Sequence, residues 1–164
     1  MSDAGTVHPI TVTINGERYE RTVLARQLLV HFLRDALGLR GTHVGCDTGN
    51  CGACTVIWDG KLVKSCMMLA AQADDTEIET VEGLATDGEL TALQRAFNEH
   101  HGLQCGYCTS GMVMVAVDIA RRLGEPDEAT IREELKGNIC RCTGYHNIVA
   151  AISAGAKAMA AGRE

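Results

Sequence analysis

Aromatic side chains are scarce in this chain of 164 residues, which has one Trp, three Tyr and two Phe. Core packing therefore has to come from Leu, Val, Ile, Ala and Met. Positive charge is also in deficit: 15 Lys and Arg face 21 Asp and Glu, a formal net charge of −6. That excludes nucleic acid as a partner, because phosphate binding needs concentrated Lys and Arg. Long apolar runs are missing. The run Met112 to Val117 ends at Asp118, far short of the about 20 residues needed to enter and cross a bilayer. Met1 to Thr6 hold neither a basic nor an apolar leader segment, so no secretory signal is expected and the expected location is cytoplasmic. No G-x-G-x-x-G loop follows a strand, so a dinucleotide would have to bind some other chain. No acid–base pair or activated nucleophile stands out either. The remaining composition, 46% hydrophobic and 22% charged, suits one ordinary domain or two small ones.

Cysteine is what the chain has in plenty, with eight residues. In a reducing compartment eight thiols read as metal ligands rather than disulfides. Cys46, Cys51 and Cys54 lie in the run Gly45-Cys46-Asp47-Thr48-Gly49-Asn50-Cys51-Gly52-Ala53-Cys54, and Cys66 follows. C-x4-C-x2-C with a distant fourth cysteine is the plant-type spacing for a [2Fe–2S] cluster. Such a cluster is anionic and becomes more so on reduction. Backbone N–H groups must therefore point at sulfur, and their close approach needs small residues. Gly45, Gly49, Gly52 and Ala53 meet that need. A zinc knuckle uses paired C-x2-C units instead.

Taken in order, Ile10 to Ile14 and Arg18 to Val23 read as a hairpin about the turn Asn15-Gly16. Leu24 to Leu37 has apolar residues at helical spacing, ended by Gly38. The cluster loop runs from Gly41 to Cys54. A second hairpin, Thr55 to Trp58 and Lys61 to Ser65 about Asp59-Gly60, returns Cys66 to the loop. Ile78 to Val81 is a last strand. This half describes a β-grasp with one crossing helix, with Trp58 expected to pack near the cluster. Glu82 to Gly88 reads as a linker. Helices are then expected at Glu89 to His101, with Leu90, Leu93, Ala96 and Phe97 on one face, at Cys108 to Leu123 (buried), at Asp127 to Lys136 and at Tyr145 to Ala160. The expected fold is α+β: a ferredoxin-like β-grasp domain over residues 1–82 and a four-helix-bundle domain over 83–164.

The other four cysteines, Cys105, Cys108, Cys140 and Cys142, form C-x2-C and C-x-C pairs at helix junctions. Two such loops at one end of a bundle can enclose a four-thiolate site facing helix N-termini. Zinc suits that spacing too. All eight cysteines divide into two complete sets of four, so none of the six histidines is needed as a ligand. Two clusters in so small a chain imply electron transfer.

The runs Gly45-Cys46-Asp47 with Cys51-Gly52-Ala53-Cys54-Thr55-Val56, Gln104-Cys105-Gly106-Tyr107-Cys108-Thr109 and Gly137-Asn138-Ile139-Cys140-Arg141-Cys142-Thr143-Gly144-Tyr145 resemble the iron–sulfur subunit of xanthine-oxidase-type molybdenum hydroxylases. Within that family the chain resembles the small subunit of aerobic carbon monoxide dehydrogenase, on Leu29 to Arg34, Lys64-Ser65-Cys66 and His101 to Gln104. The small subunits of aldehyde and N-heterocycle dehydrogenases are similar as well.

The resemblance implies an oxidoreductase complex in which this chain is the non-catalytic electron carrier. A large subunit would hold the molybdenum cofactor and a medium subunit FAD, in a dimer of heterotrimers. The cluster of Cys105, Cys108, Cys140 and Cys142 would stand nearer the molybdenum, and that of Cys46, Cys51, Cys54 and Cys66 nearer the flavin. Gln104 and Cys142 would contact the molybdopterin. Where many members have proline after the Cys-Thr pair, this chain has Ser110, which can cap the helix start or simply be tolerated there. Tyr107 and Arg141 are placed to donate to sulfur or to a partner. Two readings of another class remain, a double-zinc adaptor and a free-standing ferredoxin.

Overall fold

The computed structural model describes residues 5–85 and 88–162. Its N-terminal half follows from two tight turns. β1 (Val7–Ile14) and β2 (Glu17–Leu24) pair antiparallel across Asn15-Gly16, and β3 (Thr55–Trp58) and β4 (Lys61–Lys64) across Asp59-Gly60. All four turn residues have positive φ, the backbone that a two-residue turn needs to match the twist of its strands. β5 (Glu77–Glu79) runs parallel to β1 and antiparallel to β3, giving the sheet order β2-β1-β5-β3-β4.

The sheet has a core on each face. Val56 packs towards Phe32, Leu33 and Ile78, whereas its neighbour Ile57 packs with Leu93, Met112 and Ile148 of the helical half. Alternate residues of one strand thus serve two cores. Trp58 lies on the first of these, at the hairpin end of β3, paired with Lys61 and Ile78 and away from Cys54. The expected position beside the cluster is corrected accordingly.

The expected helix Leu24 to Leu37 is also shorter than its apolar spacing indicated. Leu24 still belongs to β2, opposite Val7. Leu28 bridges Leu69, and the Leu29 amide donates to the Met68 carbonyl. Extended pairing therefore holds the segment until α1 begins at Leu29–His31, which continues as a π-helical turn over Phe32–Ala36.

Four helices follow: α2 (Ala92–Glu99), α3 (Thr109–Leu123), α4 (Glu128–Glu134) and α5 (His146–Ala161). α2 starts late because Thr91 and Gln94 form a capping box. Leu90 lies outside it and is 45% exposed, not on the apolar face. α3 is buried from Ser110 to Ala120 and packs against β3 on one side and α5 on the other. Part of the expected linker is a short helical turn, Val81–Leu84, with Leu84 in the helical core; Thr86 and Asp87 lie outside the described residues, as do Met1–Ala4 of the leader reading. None of the described helices is long and apolar enough to cross a membrane. The architecture is α+β, a ferredoxin-like sheet domain joined to a helical one.

Candidate iron–sulfur centres

The loop from Gly41 to Cys54 is tied at both ends. Arg34 donates to the carbonyls of Arg40 and Thr42, and the His43 amide donates to the Ala53 carbonyl. Within it the amides of Thr48 and Cys51 both point at Cys46 Sγ, at 3.4 and 3.3 Å. Donors from Thr48, then the Cys51 amide, hold the Cys46 thiol down at about 6. A Cβ on Gly45 would stand 2.7 Å from Cys51 Sγ, so only glycine lets the backbone come so near the thiol. Cys54 and Cys66 are buried beside Val30, Leu28 and Val44. Burial, then the neighbouring Cys54 thiol, pushes Cys66 up to about 11. Gly52 is small for a different reason than expected: its Cβ would strike Asn138 and the Gly137 carbonyl rather than face sulfur.

The second set lies where α3 and α5 begin. Cys108 is the residue before α3, and burial, then Cys140, raises its thiol to about 12. For Cys140, burial acts upward, but the Thr143 hydroxyl and amide bring the net shift below the ordinary thiol value. Cys105 and Cys142 are exposed and face each other; that contact raises Cys142. Gln104 is exposed beside them.

The thiols therefore stand in pairs: Cys46 with Cys51, Cys54 with Cys66, Cys108 with Cys140, and Cys105 with Cys142. A two-iron cluster takes thiolates two to an iron, which suits pairs. Two hydroxyls next to Cys108, Thr109 Oγ1 and Ser110 Oγ, are buried without a partner. Ser110 does not cap α3 but lies inside its first turn, the second of the two roles open to it. Free hydroxyl donors following Cys108 in the chain would suit an anionic iron–sulfur group bound there, and so would the all-thiol donor set.

The two sites are in contact. The Ile139 amide donates to the Cys51 carbonyl at 2.8 Å, and Asn138 Nδ2 to the Gly52 carbonyl at 3.3 Å. A cleft of about 260 Å³ is lined by Gly45 and Cys51 of the first site and by Cys105, Cys108 and Cys140 of the second. Tyr107 Oη donates to the Val44 carbonyl at 2.6 Å, not to sulfur, and its ring stacks on His43 at 4.8 Å. Arg141 is exposed at the cleft.

Three contributors were not picked out from sequence. Lys64 Nζ donates to Asn138 Oδ1, the Gly137 carbonyl and Thr55 Oγ1; burial lowers its amine while the four first-site thiols act in the opposite sense. Asn138 is the buried acceptor of that contact. Tyr145 Oη accepts from the Cys140 amide and donates to the Asn138 carbonyl. The one local signal was their place beside ligand motifs.

The fold and the paired thiols define a protein with two [2Fe–2S]-binding domains. Residues 12–85 match the model of a 2Fe-2S iron–sulfur cluster binding domain and residues 80–153 that of a [2Fe-2S] binding domain. The gamma subunit of caffeine dehydrogenase from Pseudomonas sp. strain CBB1 is 53% identical, over 88% of this chain and 89% of its own. The nicotine 6-hydroxylase small subunit of Paenarthrobacter nicotinovorans is 48% identical, over 87% and 86%. The solved structure of quinoline 2-oxidoreductase from Pseudomonas putida 86 superposes with a TM-score of 0.92 at 46% identity, covering 96% of this chain and 97% of that one. The chain belongs to the iron–sulfur small subunits of the xanthine-oxidase family of molybdenum hydroxylases. It is the non-catalytic, electron-transferring part of an oxidoreductase.

Proposed function

We propose that this chain passes electrons from a molybdenum cofactor in a large partner subunit to FAD in a medium one, within a dimer of heterotrimers. Cys105, Cys108, Cys140 and Cys142 hold the receiving cluster and Cys46, Cys51, Cys54 and Cys66 the delivering one, in domains spanning residues 83–164 and 1–82. The clusters, when bound, supply one-electron redox chemistry. The chain's own part is to hold the two sets of thiolates close, to exclude water from Cys54 and Cys66, and to present Gln104 and Cys142 to the molybdopterin. The observation that carries this reading is the hydrogen bond from Ile139 to Cys51, which links the backbone of one site to that of the other. Gln104 suits a pterin edge because an amide both donates and accepts.

For the substrate, the resemblance put carbon monoxide first and an aldehyde or N-heterocycle second. The names of the relatives, acting on caffeine, nicotine and quinoline, support a nitrogen heterocycle. Metal analysis and EPR test the first part: about four iron per chain and two [2Fe–2S] signals on reduction are expected. Zinc in place of iron would reject it. Elution as a small monomer free of molybdenum and flavin would favour the free-standing ferredoxin. Turnover of a purine or quinoline by the intact complex tests the substrate, and oxidation of carbon monoxide alone would restore the alternative.

A further inference from the structure

Lys64 has no place in the electron path just described, yet its side chain is not a free surface lysine. It ends β4, two residues before Cys66 and opposite Thr55, the residue after Cys54. The half-buried ammonium donates to Asn138 Oδ1 at 2.8 Å, to the Gly137 carbonyl at 2.9 Å and to Thr55 Oγ1 at 3.1 Å. Two of those acceptors belong to the loop that leads into Cys140, and the third to the strand leaving Cys54. A surface lysine normally keeps its head in water; here all three ammonium protons have protein acceptors. Among the described residues no carboxylate pairs with it. Its ladder position sets it beside the residue after Cys54 and two residues from Cys66, two of the four cysteines of the first set.

This inference rests on the function proposed above. We propose that Lys64 is a positioning residue for electron transfer, whose fixed positive charge raises the reduction potential of the cluster held by Cys46, Cys51, Cys54 and Cys66. Reduction adds one electron and no proton to that cluster, and a stationary cation nearby stabilises the added charge. Lys64 is two residues from Cys66 along β4 and pairs with the residue after Cys54, whereas it reaches the second set only through hydrogen bonds to Gly137 and Asn138. The charge therefore acts unequally on the two sites, making the first the better acceptor and biasing flow towards it.

The test uses the intact complex carrying K64Q or K64R, with midpoint potentials read by EPR-monitored redox titration. A Cys46→Ser variant, which alters the first-site signal alone, assigns the two signals. K64Q keeps a donor but loses the charge; it should shift the first-site midpoint down by about a tenfold change in the oxidised-to-reduced ratio, about 59 mV for one electron. The second midpoint should stay, and K64R should restore most of the first. Unmoved midpoints would overturn the proposal. So would equal shifts in the Gln and Arg variants, or loss of the first-site signal from both, since those outcomes mark Lys64 as a packing element only. Absence of iron from the unsubstituted protein would instead overturn the underlying electron-transfer reading.

Discussion

The Ile139 amide donates to the Cys51 carbonyl at 2.8 Å, so the residue before Cys140 is bonded to the backbone of a cysteine 88 positions earlier. Everything nearby is arranged to keep that contact short. Asn138 reaches the Gly52 carbonyl, Lys64 reaches Asn138, and α3 presents Gly111 to the same carbonyl. Next to the cysteines the joint between the sheet half and the helical half is thus made by backbone groups and the side chains of Lys64 and Asn138, while Ile57 packs into the helical core further along β3.

Gly111→Ala sets two effects against each other. Alanine in a helix interior gains about 1 kcal/mol over glycine. Its Cβ, however, would lie 2.1 Å from the Gly52 carbonyl oxygen, and backbone cannot move aside as a flexible side chain can. Overpacking of this kind costs about 1–3 kcal/mol or more, so the clash wins. The variant should melt several degrees lower than the parent in a thermal scan. An unchanged or higher Tm would show that α3 does not press on the first loop.

Asn138→Ala removes the acceptor of Lys64 and the donor to Gly52 at a position only 4% exposed. Leaving buried polar groups without partners costs about 1–3 kcal/mol. Urea unfolding should show a loss in that range. Tyr145→Phe, which strips one hydroxyl from the Cys140 amide and the Asn138 carbonyl, should cost about 1 kcal/mol. If Asn138→Ala proves neutral, the Lys64–Asn138 contact contributes nothing to holding the halves together.

What sequence made legible was local. Asn15-Gly16 and Asp59-Gly60 announced their hairpins because both residues of such a turn need positive φ, and few residues accept it. The cysteine spacings pointed to two iron–sulfur domains, and two such family models match the two halves. Lys64 and Asn138 were invisible: they are 74 residues apart, and neither residue type implies the other. The second core on Ile57 was hidden likewise, since a strand buried on both faces loses its alternation. Leu24 to Leu28 misled because apolar spacing records burial, not the strand pairing that holds this stretch extended.

Asp127 gives a pH dependence. Its carboxylate accepts from the Thr130 side chain and amide at the start of α4, and these bonds lower its pKa below the ordinary 3.8. A depressed folded-state pKa adds stability above the unfolded value, and that stability is lost as pH falls through the folded one. Between pH 5 and pH 2 the parent should therefore lose its advantage over Asp127→Ala. Asp127→Asn caps without titrating, so its lead over the alanine variant should not fall with acid at that site. Thermal unfolding across this range measures both differences, and a parent-to-alanine gap that stays constant in acid would contradict the capping role.

Gln104 offers the sharpest test of how electrons enter. It is exposed beside Cys105 and Cys142, the exposed thiols of the second set, so its truncation leaves no buried group unpaired within this chain. Gln104→Ala should keep both [2Fe–2S] signals and the parent's melting temperature. If its amide bonds the molybdopterin, one net hydrogen bond is lost, worth about 0.5–1.5 kcal/mol. Reduction of the clusters by substrate, followed by stopped-flow absorbance in the intact complex, should then slow by up to about tenfold. Reduction by dithionite, which does not depend on the molybdenum subunit, should keep its rate. Slowing of both would locate the defect in the cluster itself, and slowing of neither would remove Gln104 from the entry path.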